Sequence, residues 1–145
     1  SGEKVNLVKE LGCNEVINRS VPEAIFLDQI KEMKNSVDVV ADTVGGTWLS
    51  KIFDTIHPGG KYVCSGAIAG PVVNLDLRKL YLKDITAIGS TSWIEESFSR
   101  IVYLIESKQI EPLVHKSFSL MDIIKAQKLF VEKKPFGKIA LIPPE

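Results

Sequence analysis

Residues suited to nucleophilic or metal chemistry are scarce in this 145-residue chain. Its two cysteines, Cys13 and Cys64, form no CxxC or other short metal spacing. Its two histidines, His57 and His115, add no ligand cluster, and no Ser–His–Asp arrangement is suggested. Net charge is absent as well: 18 Lys and Arg balance 18 Asp and Glu, with no basic run. That removes the electrostatic case for nucleic acid or an acidic membrane surface. No apolar stretch is long enough to span a bilayer, so no membrane partner is expected. Two isolated thiols suit a reducing compartment, and the expected location is cytoplasmic. Internal repeats and low-complexity segments are missing too.

What the chain does have is an apolar period that switches between helical and extended. Val5, Val8 and Leu11 lie at helical spacing and Gly12 follows as a stop. Glu15 to Asn18, EVIN, reads as a short strand. Ser20 reads as an N-cap, with Pro22 early in the helix and Glu23 completing a capping box. That helix carries Ile25, Phe26, Ile30 and Met33 to about Lys34. The nearly continuous apolar run VDVVADTV, residues 37–44, predicts a strand covered on both faces. Gly45 and Gly46 turn the chain into an amphipathic helix with Trp48, Leu49, Ile52, Phe53 and Ile56 on its apolar face. HPGG, residues 57–60, is read as its end, with His57 capping the last carbonyls. Strands follow at residues 61–67 and 84–91, separated by a loop with a short helical turn.

Strand, helix and strand in this alternation imply a parallel sheet with crossover helices on both faces. In open parallel sheets, ligands sit beyond the carboxyl ends of the strands. Residues 42–46, 65–67 and 89–91 lie at such ends and are small or glycine-bearing, which lets a ligand approach the backbone. Asp42 is read as accepting N–H groups of its turn rather than as a general acid. After Trp93 the style changes. A helix over 95–108, a half-buried strand over 114–120, a helix over 121–133 and a strand over 137–143 form a tail expected to pack apart from the first sheet.

The segments EKVNLVKELGCNEVIN, VDVVADTVGG, HPGGKYVCSGA, LYLKDITAIGS and FGKIALIP occur in this order along the whole chain. Together they resemble the C-terminal part of a medium-chain dehydrogenase/reductase, the superfamily of zinc alcohol dehydrogenases and quinone oxidoreductases. The run LDLRKLYLKDITAIGST is most similar to the quinone-oxidoreductase-like branch. The resemblance implies a partial Rossmann-like dinucleotide-binding domain at 1–92 and a segment returning to the catalytic domain at 93–145. It also implies that the first strand, the glycine-rich pyrophosphate turn and any zinc ligands precede Ser1. Zinc is not expected on this chain itself.

The resemblance further implies where a nicotinamide cofactor would lie. Thr43, Val44 and Gly45 match a turn beside its adenosine half; the plain alternative is a strand-to-helix turn. Ser65, Gly66 and Ala67 match a segment beside the nicotinamide. Gly89 and Ser90 match one whose backbone meets the carboxamide. For both, sheet packing is the alternative. Lys4 lies in the first turn of a helix, where the dipole favours an anion. With Ser1 it is placed to hold a 2′-phosphate and to favour NADP, although NAD stays open and a solvated lysine offset by Glu3 is the alternative. Lys138 matches a base that reaches the cofactor phosphates, or is a surface lysine. Asn18 either borders the adenine or simply turns the chain. The implied reaction is hydride transfer to a quinone, enone or similar carbonyl compound. A zinc alcohol dehydrogenase and a non-catalytic assembly module are the alternatives. A homodimer through residues 84–91 is expected.

Overall fold

A computed structural model describes residues 2–18, 20–132 and 135–144. The chain divides into two compact units, Ser1–Ser92 and Trp93–Glu145.

In the first unit, helix α1 (Gly2–Glu10) ends where the N–H of Gly12 donates to Lys9 O and that of Cys13 to Val8 O. Gly12 supplies the positive φ, +94°, which this closure requires. Helix α2 (Glu23–Glu32) is followed by strand β1 (Val37–Asp42), helix α3 (Leu49–Thr55), strand β2 (Ile56–Cys64), the single turn α4 (Arg78–Tyr81) and strand β3 (Thr86–Gly89). The sheet runs β1-β2-β3 and both pairings are parallel. Leu49, Phe53, Ile56, Tyr62 and Ile85 form its buried core, with Val40, Val73, Leu75 and Leu80 packed against it. Phe53 and Tyr62 meet ring to ring at 5.0 Å.

Five local expectations are corrected. EVIN is not a strand, because residues 15–18 pair with no neighbour among the described residues and a strand exists only through its ladder. Ser20 does not cap α2: its N–H is turned to Asn18 Oδ1 at 3.0 Å, and the extended Pro22 occupies the N-cap. HPGG does not end α3 but belongs to β2. The register passes from Val37↔Ile56 to Val39↔Lys61, so the extra residues of β2 form a bulge that accommodates Pro58 inside a central strand. Accordingly His57 caps no helix; its Nδ1 lies 2.6 Å from Pro58 O. Finally, β1 is covered on one side only, for Val39 is 58% exposed.

The second unit holds helix α5 (Glu95–Glu106), strand β4 (Val114–Ser119), a 3₁₀ turn (Leu120–Asp122), helix α6 (Ile123–Val131) and strand β5 (Lys138–Ile142). β4 and β5 pair in parallel as a sheet of their own. Ser119 Oγ accepts the N–H of Met121 and so opens the turn that becomes α6. The predicted end of this helix at Lys133 lies outside the described residues. Its Ala126 is buried, whereas Phe98, Ile101 and Ile105 of α5 and Phe130 of α6 are exposed. Among the described residues, no helix is long and apolar enough to cross a membrane.

Candidate functional site at the carboxyl ends of the first sheet

The three strands of the first sheet stop on one line. Asp42 is level with Cys64, and Cys64 with Gly89. The ladder continues one step beyond, since Ser65 N–H donates to Asp42 O at 2.9 Å and Ser90 N–H to Cys64 O at 2.8 Å. Sequence-predicted residues 43–45, 65–67 and 89–90 are thereby brought onto one rim. Thr43, Ser65, Ala67, Gly89 and Ser90 are exposed; Val44, Gly45 and Gly66 are half-buried.

Asp42 organises the first turn of that rim. Its Oδ1 accepts the N–H of Val44 at 2.7 Å and of Gly45 at 2.9 Å, as its sequence position suggests. Its Oδ2 accepts the hydroxyl of Tyr62 at 2.8 Å. Burial pushes the Asp42 carboxyl up, but the hydrogen bonds from Gly45, Val44 and Tyr62 outweigh it and hold the group below its ordinary value. Burial, then the bond to Asp42, pushes the Tyr62 phenol well above its usual range. Tyr62 therefore remains a donor. Sequence reading passed over it. The available signal was the alternation that sets Tyr62 and Cys64 on the same face of β2.

The glycines of the rim divide into two kinds. A methyl group at Gly66 would stand 2.8 Å from Thr43 O, and one at Gly46 would stand 2.9 Å from Ala69 Cβ. The segments after β1 and β2 are drawn together backbone to backbone, with Ala69 N–H on Val44 O and Gly46 N–H on Gly70 O. These glycines serve loop-to-loop packing. Gly89 differs, because nothing lies within 4 Å of where its side chain would be. A ligand can reach that backbone.

Beside the Asp42 turn is a cleft of about 240 Å³, lined by Phe26, Val40, Val44, Trp48, Leu49 and Ile52 among others. Phe26 and Trp48 meet edge to face in it at 5.2 Å. A larger hollow of about 500 Å³ lies between Lys9, Val16, Ile17, Gln29 and Met33. Asn18 is a turn residue, its Oδ1 and carbonyl oxygen holding Ser20 and Val21. Lys4 stands half-buried in the first turn of α1. Ser1 lies outside the described residues. Lys138 opens β5 in the second unit, exposed, with its N–H on Leu113 O at 2.7 Å.

Chemically, the rim presents small faces and backbone groups rather than a nucleophile or base. That fits a cofactor which must be oriented and which brings its own reactivity. Among the described residues no group of three or more His, Cys, Asp or Glu is placed to hold a metal ion.

Residues 1–107 match the family model described as zinc-binding dehydrogenase. The zinc-type alcohol dehydrogenase-like protein YogA of Leptosphaeria maculans is 25% identical over 97% of this chain and 41% of its own length. The acryloyl-coenzyme A reductase of Sulfurisphaera tokodaii is 24% identical over 99% of the chain and 41% of its own. A crystal structure of a candidate alcohol dehydrogenase from Sinorhizobium meliloti 1021 superposes with a TM-score of 0.80 at 36% identity, over 97% of this chain and 39% of that one. The chain thus spans about two fifths of the length of the relatives it matches.

Proposed function

The chain belongs to the zinc-binding dehydrogenases of the medium-chain dehydrogenase/reductase superfamily, and from that premise we propose that it serves an NADP-dependent oxidoreductase. The full-length protein would move a hydride between the nicotinamide and a quinone, an enone or a similar carbonyl compound. The observation that carries this reading is the aligned rim of exposed small residues at the carboxyl ends of β1, β2 and β3. In open parallel sheets that edge is the ligand edge.

Within this reading residues 1–92 are the cofactor unit and 93–145 return to the catalytic domain. Thr43 to Gly45 lie against the adenosine half. Ser65 to Ala67 and the open backbone of Gly89 and Ser90 orient the nicotinamide. The cation of Lys4 at the start of α1 favours the extra phosphate of NADP. No residue of this chain is assigned as acid or base. Support for a conjugated carbonyl substrate comes from relatives named acryloyl-coenzyme A reductase and 2-haloacrylate reductase. The cytoplasm, where both coenzyme and thiols stay reduced, is the proposed location.

The test follows oxidation of NADPH at 340 nm by the full-length protein with an enone, a quinone and an aldehyde in parallel. Turnover of enone or quinone with NADPH preferred over NADH is expected. Turnover confined to alcohols and NAD, and lost on chelation, would favour a zinc alcohol dehydrogenase. No binding of either coenzyme would favour an assembly module.

A further inference from the structure

The rim has a support that none of its own residues supplies. Tyr62 lies one alternation before the end of β2, 7% exposed, with its ring against Phe53. Its hydroxyl reaches across the sheet to Asp42 Oδ2 at 2.8 Å, while the other oxygen of the same carboxylate holds the N–H groups of Val44 and Gly45. One carboxylate therefore joins a side chain fixed in the core to the turn leaving β1. Gly45 in that turn has φ +60°, and a methyl group there would stand 3.2 Å from Ala67. The same turn is joined to the segment after β2 by the N–H of Ala69, which donates to Val44 O at 2.8 Å.

We infer that Tyr62 is a positioning residue that, through Asp42, sets the turn 43–45 for the adenosine half of the cofactor. The inference rests on the cofactor reading above. A carboxylate with three donors has its rotamer and its ionisation fixed together. Without the phenol, Oδ2 loses its protein partner, the side chain gains freedom, and the two amides lose a fixed acceptor. The groups facing Asp42 are few. Tyr62 and Cys64 stand on β2, while the α2 and α3 side of the adjoining cleft presents Phe26, Trp48, Leu49 and Ile52, none of which titrates.

The direction with pH follows. Hydrogen bonds to the ionised carboxylate keep it charged to lower pH, so its hold on the turn is complete above the ordinary carboxylate range. The hold fails as the pH falls through the lowered value. Removing the phenol raises that value and moves the failure to higher pH.

The experiment compares full-length wild type with Tyr62→Phe, which keeps the ring in the core, and Asp42→Asn. NADPH affinity is measured against pH, and amide exchange is followed at Val44 and Gly45. Tyr62→Phe should weaken NADPH and NADH alike by roughly tenfold, the low end of the scale of one hydrogen bond to a charged acceptor. Its acid limb should move to higher pH, and in Asp42→Asn that limb should vanish. Protection at both amides should fall in Tyr62→Phe. A purely packing role would leave the acid limb unmoved, and that result overturns the inference. Unchanged amide protection in Tyr62→Phe overturns it also, whether or not coenzyme binds. A wild type that binds no coenzyme refutes the reading of the previous subsection and equally overturns this use of Tyr62.

Discussion

A methyl group added at Gly66 would stand 2.8 Å from a backbone oxygen, while one added at Gly89 would meet nothing within 4 Å. Both glycines are expected at the ligand edge, yet the two substitutions should behave differently. Gly66→Ala should lower stability by about 1–3 kcal/mol, because a carbonyl cannot swing aside as a side chain can. Gly89→Ala should leave stability within about 0.5 kcal/mol and, on the proposed cofactor reading, weaken NADPH by filling the space that reading assigns to the carboxamide. Urea unfolding and coenzyme titration of both variants separate packing from contact. Lys4 is tested by a difference of coenzymes. Lys4→Ala should weaken NADPH about tenfold, the scale of one charge-assisted contact, with little change for NADH; equal losses would reduce Lys4 to a helix residue. At this scale Asp42 was legible, because a carboxylate between a strand and two glycines has few uses other than holding its own turn. Tyr62 was not, because its partner lies twenty residues away and only the parallel register brings them together.

Between residues and fold stands the packing of α3. The helix is short and its last carbonyls face inward, where Lys83 meets them. The ammonium donates to Phe53 O at 3.0 Å, Asp54 O at 3.1 Å and Ile56 O at 2.9 Å. Lys79 adds Ser50 O at 2.8 Å and an ion pair with Asp54 at 2.7 Å. In return, Gly59 N–H donates to Lys83 O at 2.7 Å, tying the bulge of β2 to the chain that enters β3. A cation at a helix C-terminus satisfies both the open carbonyls and the dipole. Lys83→Met keeps the stem and removes the donors, so it should cost about 1–2 kcal/mol. The urea midpoint should fall while coenzyme affinity per folded molecule holds. An unshifted midpoint would mean water replaces the ammonium without loss. The misread elements share one cause. Sequence patterns register what a segment prefers locally, whereas EVIN has no ladder partner among the described residues and HPGG is drawn into a ladder as a bulge. Elements with a strong local signal, the helical period of α5 and the apolar run of β1 among them, were placed within a few residues.

For the molecule as a whole, the open question is what meets the free edge of β3. This strand is last in the sheet order and its four residues are all exposed. We propose that a second copy pairs there about a two-fold axis, as expected for residues 84–91. Within that range Ile85 is only 7% exposed and belongs to the core, so Ile88, at 44%, is the isoleucine available to a partner. The ladder also shows which backbone groups are free. Ser90 N–H points to β2, and N–H groups of a strand alternate in direction. Those of Ala87 and Gly89 therefore point outward. Proline at position 87 removes one outward donor and no bond to β2. Ala87→Pro should thus remain folded, with unchanged circular dichroism, and sediment as a monomer at concentrations where the wild type is a dimer. A wild type that is already monomeric, or a folded Ala87→Pro that still dimerises, would place the contact on another surface.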